Sequence, residues 1–472
     1  MASETPVGGH LIAGQQRLLI EELVDKFTVD EYYKRIPISY GVELQFMIPV
    51  LTAGNPDPHN DDFRKVAVVP PETTYEQKED IVRDEVLRIL REEVGVPAWT
   101  HPGPPYPIRA TVDIMDAESR AVSGMDQYSQ WVVTTDRELI PKPEFAVFYS
   151  WVGVKVRSNK RVVSWPNHFD EIAQAIVALR YNLRMRLRHT TFLSVHVGES
   201  WFDPMTYEMG PRFFRVFCTL WWFLEQHVMD LVHPSRRTSP HCQPIAEKSR
   251  LARMSGMDVS KELSEEGMFP ANFKHSYEQI LYIAPPSLFL HGIEWERIKT
   301  IWYAEDADTI CQKMTVPVTK EITMSIPAGG DTTFFRTESR GSVGFQGFTK
   351  NATPEDRCSH NDGETGTVEF RCMEGTLDPL LILNWLAVVI RIYDFSRRGN
   401  TADIKALIQR ARGAVPYDGL QLLEDLGLPE QFEYFQEKIR NHWKEIDIDH
   451  GHDMFVGRYG EPTRKGVKWV VL

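Results

Sequence analysis

Glu369 and Arg371 stand two residues apart in the run Thr367-Val-Glu-Phe-Arg371. The run is β-branched and aromatic with a period of two, the pattern of a half-buried strand, so both side chains and Thr367 share one face. A carboxylate beside a guanidinium can hold a metal ion and a phosphate together; the same two residues also make a purely structural ion pair. Other candidates show the same alternation. Glu43 and Gln45 share a face in Ser39–Val50, opposite Val42, Leu44 and Phe46, and Lys155 and Arg157 share one in the strand expected over 145–157. Ser194 and His196 do so in the strand expected over 190–198. Asp136 falls in a turn after a short strand that begins at Gln130. Arg236 and Arg237 lie in a basic loop, His233–Cys242, that could meet an anion. Arg340 lies in the segment Phe334–Phe348, which has glycines at 341, 344 and 347 but no Gly-Lys-Ser/Thr, so it is not a P-loop. Asp447, Asp449, His450, His452 and Asp453 have the composition of metal ligands and equally of a solvated surface cluster.

Helices must position these strands. After Asp378, a good N-cap, and Pro379, an apolar stretch runs from Leu380 to basic Arg397–Arg398 and stops at Gly399. Pro211–Leu231 is apolar and rich in Phe and Trp, which marks a core helix. Tyr75–Glu93, His168–Arg188, Ile293–Ile301, 401–412 and 416–440 also have helical spacing, as has Arg17–Lys34 after a loose leader. Thr52–Pro71 is polar and rich in Pro, Asn and Asp and is expected as a loop, and the prolines of His101–Pro107 mark a linker or turn. The acids Glu305, Asp306 and Asp308 are expected to be solvated.

The 472 residues suffice for two or three domains or one large embellished one, and 42% hydrophobic with 25% charged residues is ordinary for a globular chain. A formal net charge of −13 argues against a general nucleic-acid backbone binder. No uninterrupted apolar run reaches the roughly 18 residues of a membrane span. The first residues lack the basic and apolar regions of a secretory signal. Five cysteines without CxxC spacing are expected as reduced thiols in a cytoplasmic protein.

In order along the chain, several pieces resemble the amidoligase family common in fungi, which belongs to the glutamine synthetase and glutamate–cysteine ligase superfamily of carboxylate–amine ligases. These are Gly-Val-Glu-Leu-Gln-Phe (41–46), Trp131 to Asp136, Gly-Val-Lys-Val-Arg-Ser (153–158), Ser-Val-His-Val-Gly (194–198), His-Pro-x-Arg-Arg (233–237) and Thr-Val-Glu-Phe-Arg…Glu-Gly-Thr-Leu-Asp-Pro (367–379). The resemblance implies an α+β catalytic domain over 38–400, preceded by a leader and helix (1–37) and followed by helices and a tail (401–472). It implies a curved antiparallel sheet with helices on its outer face, whose concave face binds ATP and Mg²⁺. In that chemistry ATP phosphorylates a carboxylate, and an amine displaces phosphate to give an amide. Glu43, His196 and Glu369 would be metal ligands and Arg371 the phosphate clamp, with Lys155 and Asp136 as further catalytic candidates. Arg236, Arg237 and Arg340 would be additional nucleotide contacts. The substrates would be a small carboxylate and an amine of amino-acid or peptide size. Gln45 stands where the family has a second acid, Ser194 replaces the first histidine of His-Val-His, and Lys155 replaces a glutamate. An ammonium at 155 could supply one metal's charge or bind an anionic substrate. These departures open two other readings: a ligase-fold binding protein, or an amide-forming enzyme that uses a different activated donor.

Overall fold

The alternation read in Ser39–Val50 becomes β1 (Ile38–Thr52), a fifteen-residue strand buried on both faces along most of its length. The computed structural model describes residues 38–100, 130–163, 169–188, 190–199, 210–266, 279–290, 292–326, 330–346, 367–413 and 415–441. The helix expected over Arg17–Lys34 and the acidic and histidine-bearing tail at 447–453 lie outside the described residues.

The chain divides into two units: Met1–Leu193 with Gly375–Trp385 and Ile446–Leu472, and Ser194–Glu374 with Leu386–Glu445. In the first, β1 is followed by β2 (Ala67–Val69), β3 (Ala98–Thr100), β4 (Trp131–Thr135), β5 (Ser150–Arg157) and β6 (Arg161–Val162). β5 pairs antiparallel with both β1 and β4, β6 pairs antiparallel with β1, and β2 and β3 add parallel edges to β1 and β4. In this register Gln45 faces Lys155 and Glu43 faces Arg157, so all four share one sheet face. Gly153 allows a close approach at the other end of β5: a Cβ there would lie 2.1 Å from the Asp136 carbonyl oxygen. The helix Tyr75–Arg88 starts with a capping box between Thr74 and Gln77. A second helix, Asp170–Asn182, is tied to β4 through Glu171, which accepts the Trp131 indole N–H at 2.8 Å.

That second helix is shorter than its spacing predicts. After Asn182 the chain turns extended at Leu183, and the N–H of Arg186 donates to the Met47 carbonyl while Met47 returns the bond, each at 2.9 Å. Arg184, only 3% exposed, pairs with Asp57 at 2.7 Å. Tertiary backbone pairing and a buried charge partner thus outcompete helical propensity over 183–188.

The second unit holds β7 (Ser194–Glu199), the hairpin of β8 (Pro317–Ile326) and β9 (Gly330–Ser339), β10 (Val343–Gln346) and β11 (Thr367–Phe370). β11 lies between β10 and β7, antiparallel to both. Its alternation sorts the two faces. Val368 and Phe370 register with Phe345, Val343, Val197 and Val195 on the apolar side. Phe345 and Phe370 meet the aromatic helix Pro211–Val228, with the Phe370 ring 5.4 Å from Trp221 and 6.0 Å from Phe217. The stretch expected as one helix over 416–440 is two, Gly419–Asp425 and Pro429–Asn441, separated at Gly427, whose φ of 71° suits glycine. Asp308 is buried and accepts a bond from Gln312, against the expectation of a solvated acid. Within Thr52–Pro71, expected as loop, lies the short strand β2.

The described chain is therefore α+β with mostly antiparallel strands. Among the described residues one helix, Pro379–Arg398, is long and apolar enough to cross a membrane by length and composition, although Asn384, Arg391 and Asp394 interrupt its apolar run. Its most apolar window is 89% buried inside the protein, so the apolar length is explained as a core helix.

Candidate functional site

The polar side of β7, β11 and β10 gathers Ser194, His196, Thr367, Glu369 and Arg371. Glu369 registers directly opposite His196 on β7 and Gly344 on β10. Glu369 is 3% exposed, and its charge is answered from two sides. Arg371 Nη2 donates to Glu369 Oε2 at 2.5 Å, and the Ser194 hydroxyl donates to Oε1 at 2.9 Å. His196 Nε2 lies 4.0 Å from the same Oε1, and its Nδ1 is 3.3 Å from the Thr367 hydroxyl. Arg371 also donates through Nη1 to the Ser339 carbonyl at 2.6 Å. The pair fits because position 344 is glycine: a Cβ there would lie 3.0 Å from Arg371 Nη2 and 3.3 Å from Glu369 Oε2. Gly344 has no evident role in the sequence alone; its cross-strand position supplies one.

Arg371 is held from behind by Arg236. That side chain is fully buried in the turn Pro234–Thr238 and donates to the carbonyls of Arg371 (2.8 Å) and Cys372 (3.2 Å) and to the Ser239 hydroxyl (3.3 Å). Arg236, expected among the nucleotide contacts, is thus engaged by two main-chain oxygens and a serine hydroxyl. Arg237, half exposed, pairs with Asp230. Arg340 sets its guanidinium 2.5 Å from His241 Nδ1, and its backbone carbonyl accepts the Gln243 N–H. The turn itself is pinned by Glu374, a buried carboxylate that accepts the His233 N–H at 2.9 Å and Lys438 Nζ at 2.7 Å.

In the first unit, Lys155 Nζ lies 3.2 Å from Glu43 Oε1, and both side chains are largely covered. Gln45, 4% exposed, accepts the Phe192 N–H at 3.4 Å. Asp136 is half-buried after β4; its Oδ1 accepts the Glu138 N–H at 3.0 Å, and its own N–H reaches the Gly153 carbonyl. Those are the bonds of a turn former.

The donor set can be tested against the implied Mg²⁺. Among the described residues no three His, Cys, Asp or Glu side chains gather as a metal cluster. Magnesium, however, is commonly held by one or two protein ligands together with nucleotide phosphates and water. Glu369 and His196 fit that sparser role for one nucleotide-borne ion. Glu43 does not fit a second, because Lys155 already neutralises it. No family model, curated protein or solved structure matches the chain.

Proposed function

We propose that this chain is an ATP-dependent carboxylate–amine ligase of the glutamine synthetase type, forming an amide through an acyl phosphate. The observation that carries the reading is the cluster of Arg371, Glu369, His196 and Ser194 on the polar face of β7 and β11. Phosphoryl transfer needs cationic groups placed where charge develops on the γ-phosphate, and a guanidinium with two fixed partners is such a group. A substrate carboxylate oxygen attacks the γ-phosphorus and the bond to the β-phosphate oxygen breaks, releasing ADP. The amine nitrogen then attacks the acyl carbon, inorganic phosphate leaves, and the amine loses a proton. Arg371 turns from Glu369 to the transferring phosphoryl group. Glu369 and His196 would hold a nucleotide-borne magnesium ion, which would supply neutralisation of phosphate charge, and Ser194 keeps the Glu369 carboxylate oriented. Lys155, whose charge Glu43 answers in the first unit, is assigned no step. Asp136 and Arg236 have structural roles only.

The test is phosphate release from ATP by the full chain, with amino acids and dicarboxylic acids offered in pairs with amines. Release that requires magnesium, a carboxylate and an amine together, with the amide seen by mass spectrometry, is expected. Release that is indifferent to the added pair, or unchanged in Glu369→Gln, would overturn the reading.

A second reading, a ligase-fold binding protein without turnover, is favoured by the Glu43–Lys155 pair, since the ammonium sits against an acid otherwise suited to a cation. It predicts nucleotide binding that does not depend on magnesium.

A further inference from the structure

The aromatic helix Pro211–Val228 meets two different surroundings. Phe217 and Trp221 pack on Phe370 at the apolar side of the sheet. Trp222, Gln226 and Met229 follow one another by four and three residues, so they share another face, and they line a cavity of about 650 Å³ in the second unit. None of Ser194, His196, Glu369 and Arg371 lines it, so it is separate from the candidate nucleotide face. The helix Ile293–Tyr303 and the end of Thr401–Ala411 supply further walls. Pockets that enclose small organic molecules span about 300–1,000 Å³ and combine apolar walls with a few polar groups.

The charges around this cavity are unevenly answered. Arg412 pairs with Glu294 and lies 4.8 Å from the centre of the Phe223 ring. Arg237 pairs with Asp230. Glu225 accepts the N–H groups of Ile245 at 2.8 Å and Ala246 at 3.1 Å and the Ser342 hydroxyl. Glu247 is exposed, where water screens it. Arg297 differs from the other two arginines. Its Nη2 donates only to the neutral carbonyls of Ala252 (2.6 Å) and Met254 (3.0 Å), and its buried Nε has no partner. Among the described residues no carboxylate pairs with it. Trp222, 6% exposed, likewise has an indole N–H with no acceptor among the described residues.

We propose that this cavity binds a small monocarboxylic acid with an aromatic body, its carboxylate paired with Arg297 and its ring packed against Trp222, Phe223 and Met229. A guanidinium that has spent its bonds on neutral carbonyls keeps its full charge for an anion, and a carboxylate matches its planar fork. A single unanswered cation selects a single negative charge. A dianionic phosphate ester would bring its second charge near Glu225 and Glu294 with no further cation to meet it. The aromatic and thioether side chains supply the apolar contact, and the Trp222 N–H can donate to an oxygen on the ligand. This inference does not depend on the ligase reading.

The experiment irradiates the full chain with the photoreactive acid 4-benzoylbenzoate and maps the labelled peptides. Saturable labelling is expected on peptides that carry Trp222–Met229 or Glu294–Arg297. The neutral 4-benzoylbenzamide should need about a tenfold higher concentration, because it forfeits the ion pair. Unlabelled 3-phenylpropionate should compete and phenyl phosphate should not. Arg297→Gln, which retains a donor for the Ala252 and Met254 carbonyls, should erase the difference between acid and amide. Labelling that does not saturate, labelling confined to other peptides, equal labelling by acid and amide, or better competition by phenyl phosphate would overturn the proposal. The acid–amide comparison in wild type decides this even where the variant fails to fold.

Discussion

Arg371→Ala should lower ATP-dependent amide formation by about a thousandfold or more, the range seen when a cation that stabilises a transferring phosphoryl group is removed. The substitution has a second consequence. Glu369 is 3% exposed and takes its shortest bond from Arg371 at 2.5 Å, so the alanine leaves a buried carboxylate without its cation. Breaking such a pair from one side costs about 3–5 kcal/mol. Activity loss in the single variant would therefore mix chemistry with instability. The double variant Glu369→Gln/Arg371→Ala separates them: it removes both charges together, so stability should largely return while turnover should not. A double variant that recovers turnover along with stability would make the pair structural and remove it from the reaction.

The second large effect lies at Glu374 and Lys438, which are 6% and 5% exposed and 2.7 Å apart. Burial alone would push the Glu374 carboxyl up, but the Lys438 charge and the His233 N–H outweigh it and hold the group below its ordinary 4.5. A carboxyl lowered by folding adds stability above its unfolded value and loses it as pH falls through the folded one. The wild-type contribution should therefore fade below pH 4.5. Lys438→Met leaves burial without its main opponent, so the folded carboxyl moves above its ordinary value and the sign reverses. The variant should be about 3–5 kcal/mol less stable at neutral pH, and the gap should narrow as acid protonates Glu374. Urea midpoints of both proteins across this range measure it; a gap independent of pH would contradict the account. The pinned turn carries Arg236, so this pair also supports the backbone behind Arg371.

How far the sequence could be read depended on how local each cause is. Period-two alternation put Glu43 with Gln45, and Glu369 with Arg371, on shared faces, because a strand fixes side-chain direction residue by residue. The aromatic helix at 211–228 and the helix starting at Pro379 were equally legible from apolar spacing and a Pro start. The β8–β9 hairpin was missed, since Lys320 and Glu321 interrupt the apolar residues Val318, Ile322 and Met324. The role of Arg236 was hidden for another reason. A basic loop suggests an anion, and only the fold brings the carbonyls of residues more than a hundred positions away to the guanidinium. Likewise Lys155 was visible as an odd charge on a strand, but its partner Glu43 follows from the register of β1 and β5.

The most direct test is a calorimetric titration of ATP with magnesium into wild type and into the Glu369→Gln/Arg371→Ala double variant. The account predicts one nucleotide bound per chain in wild type, weakened when magnesium is withheld, and about ten- to hundredfold weaker binding in the variant. Equal affinity in the two proteins would contradict the assignment of the β7–β11 polar face as the nucleotide site.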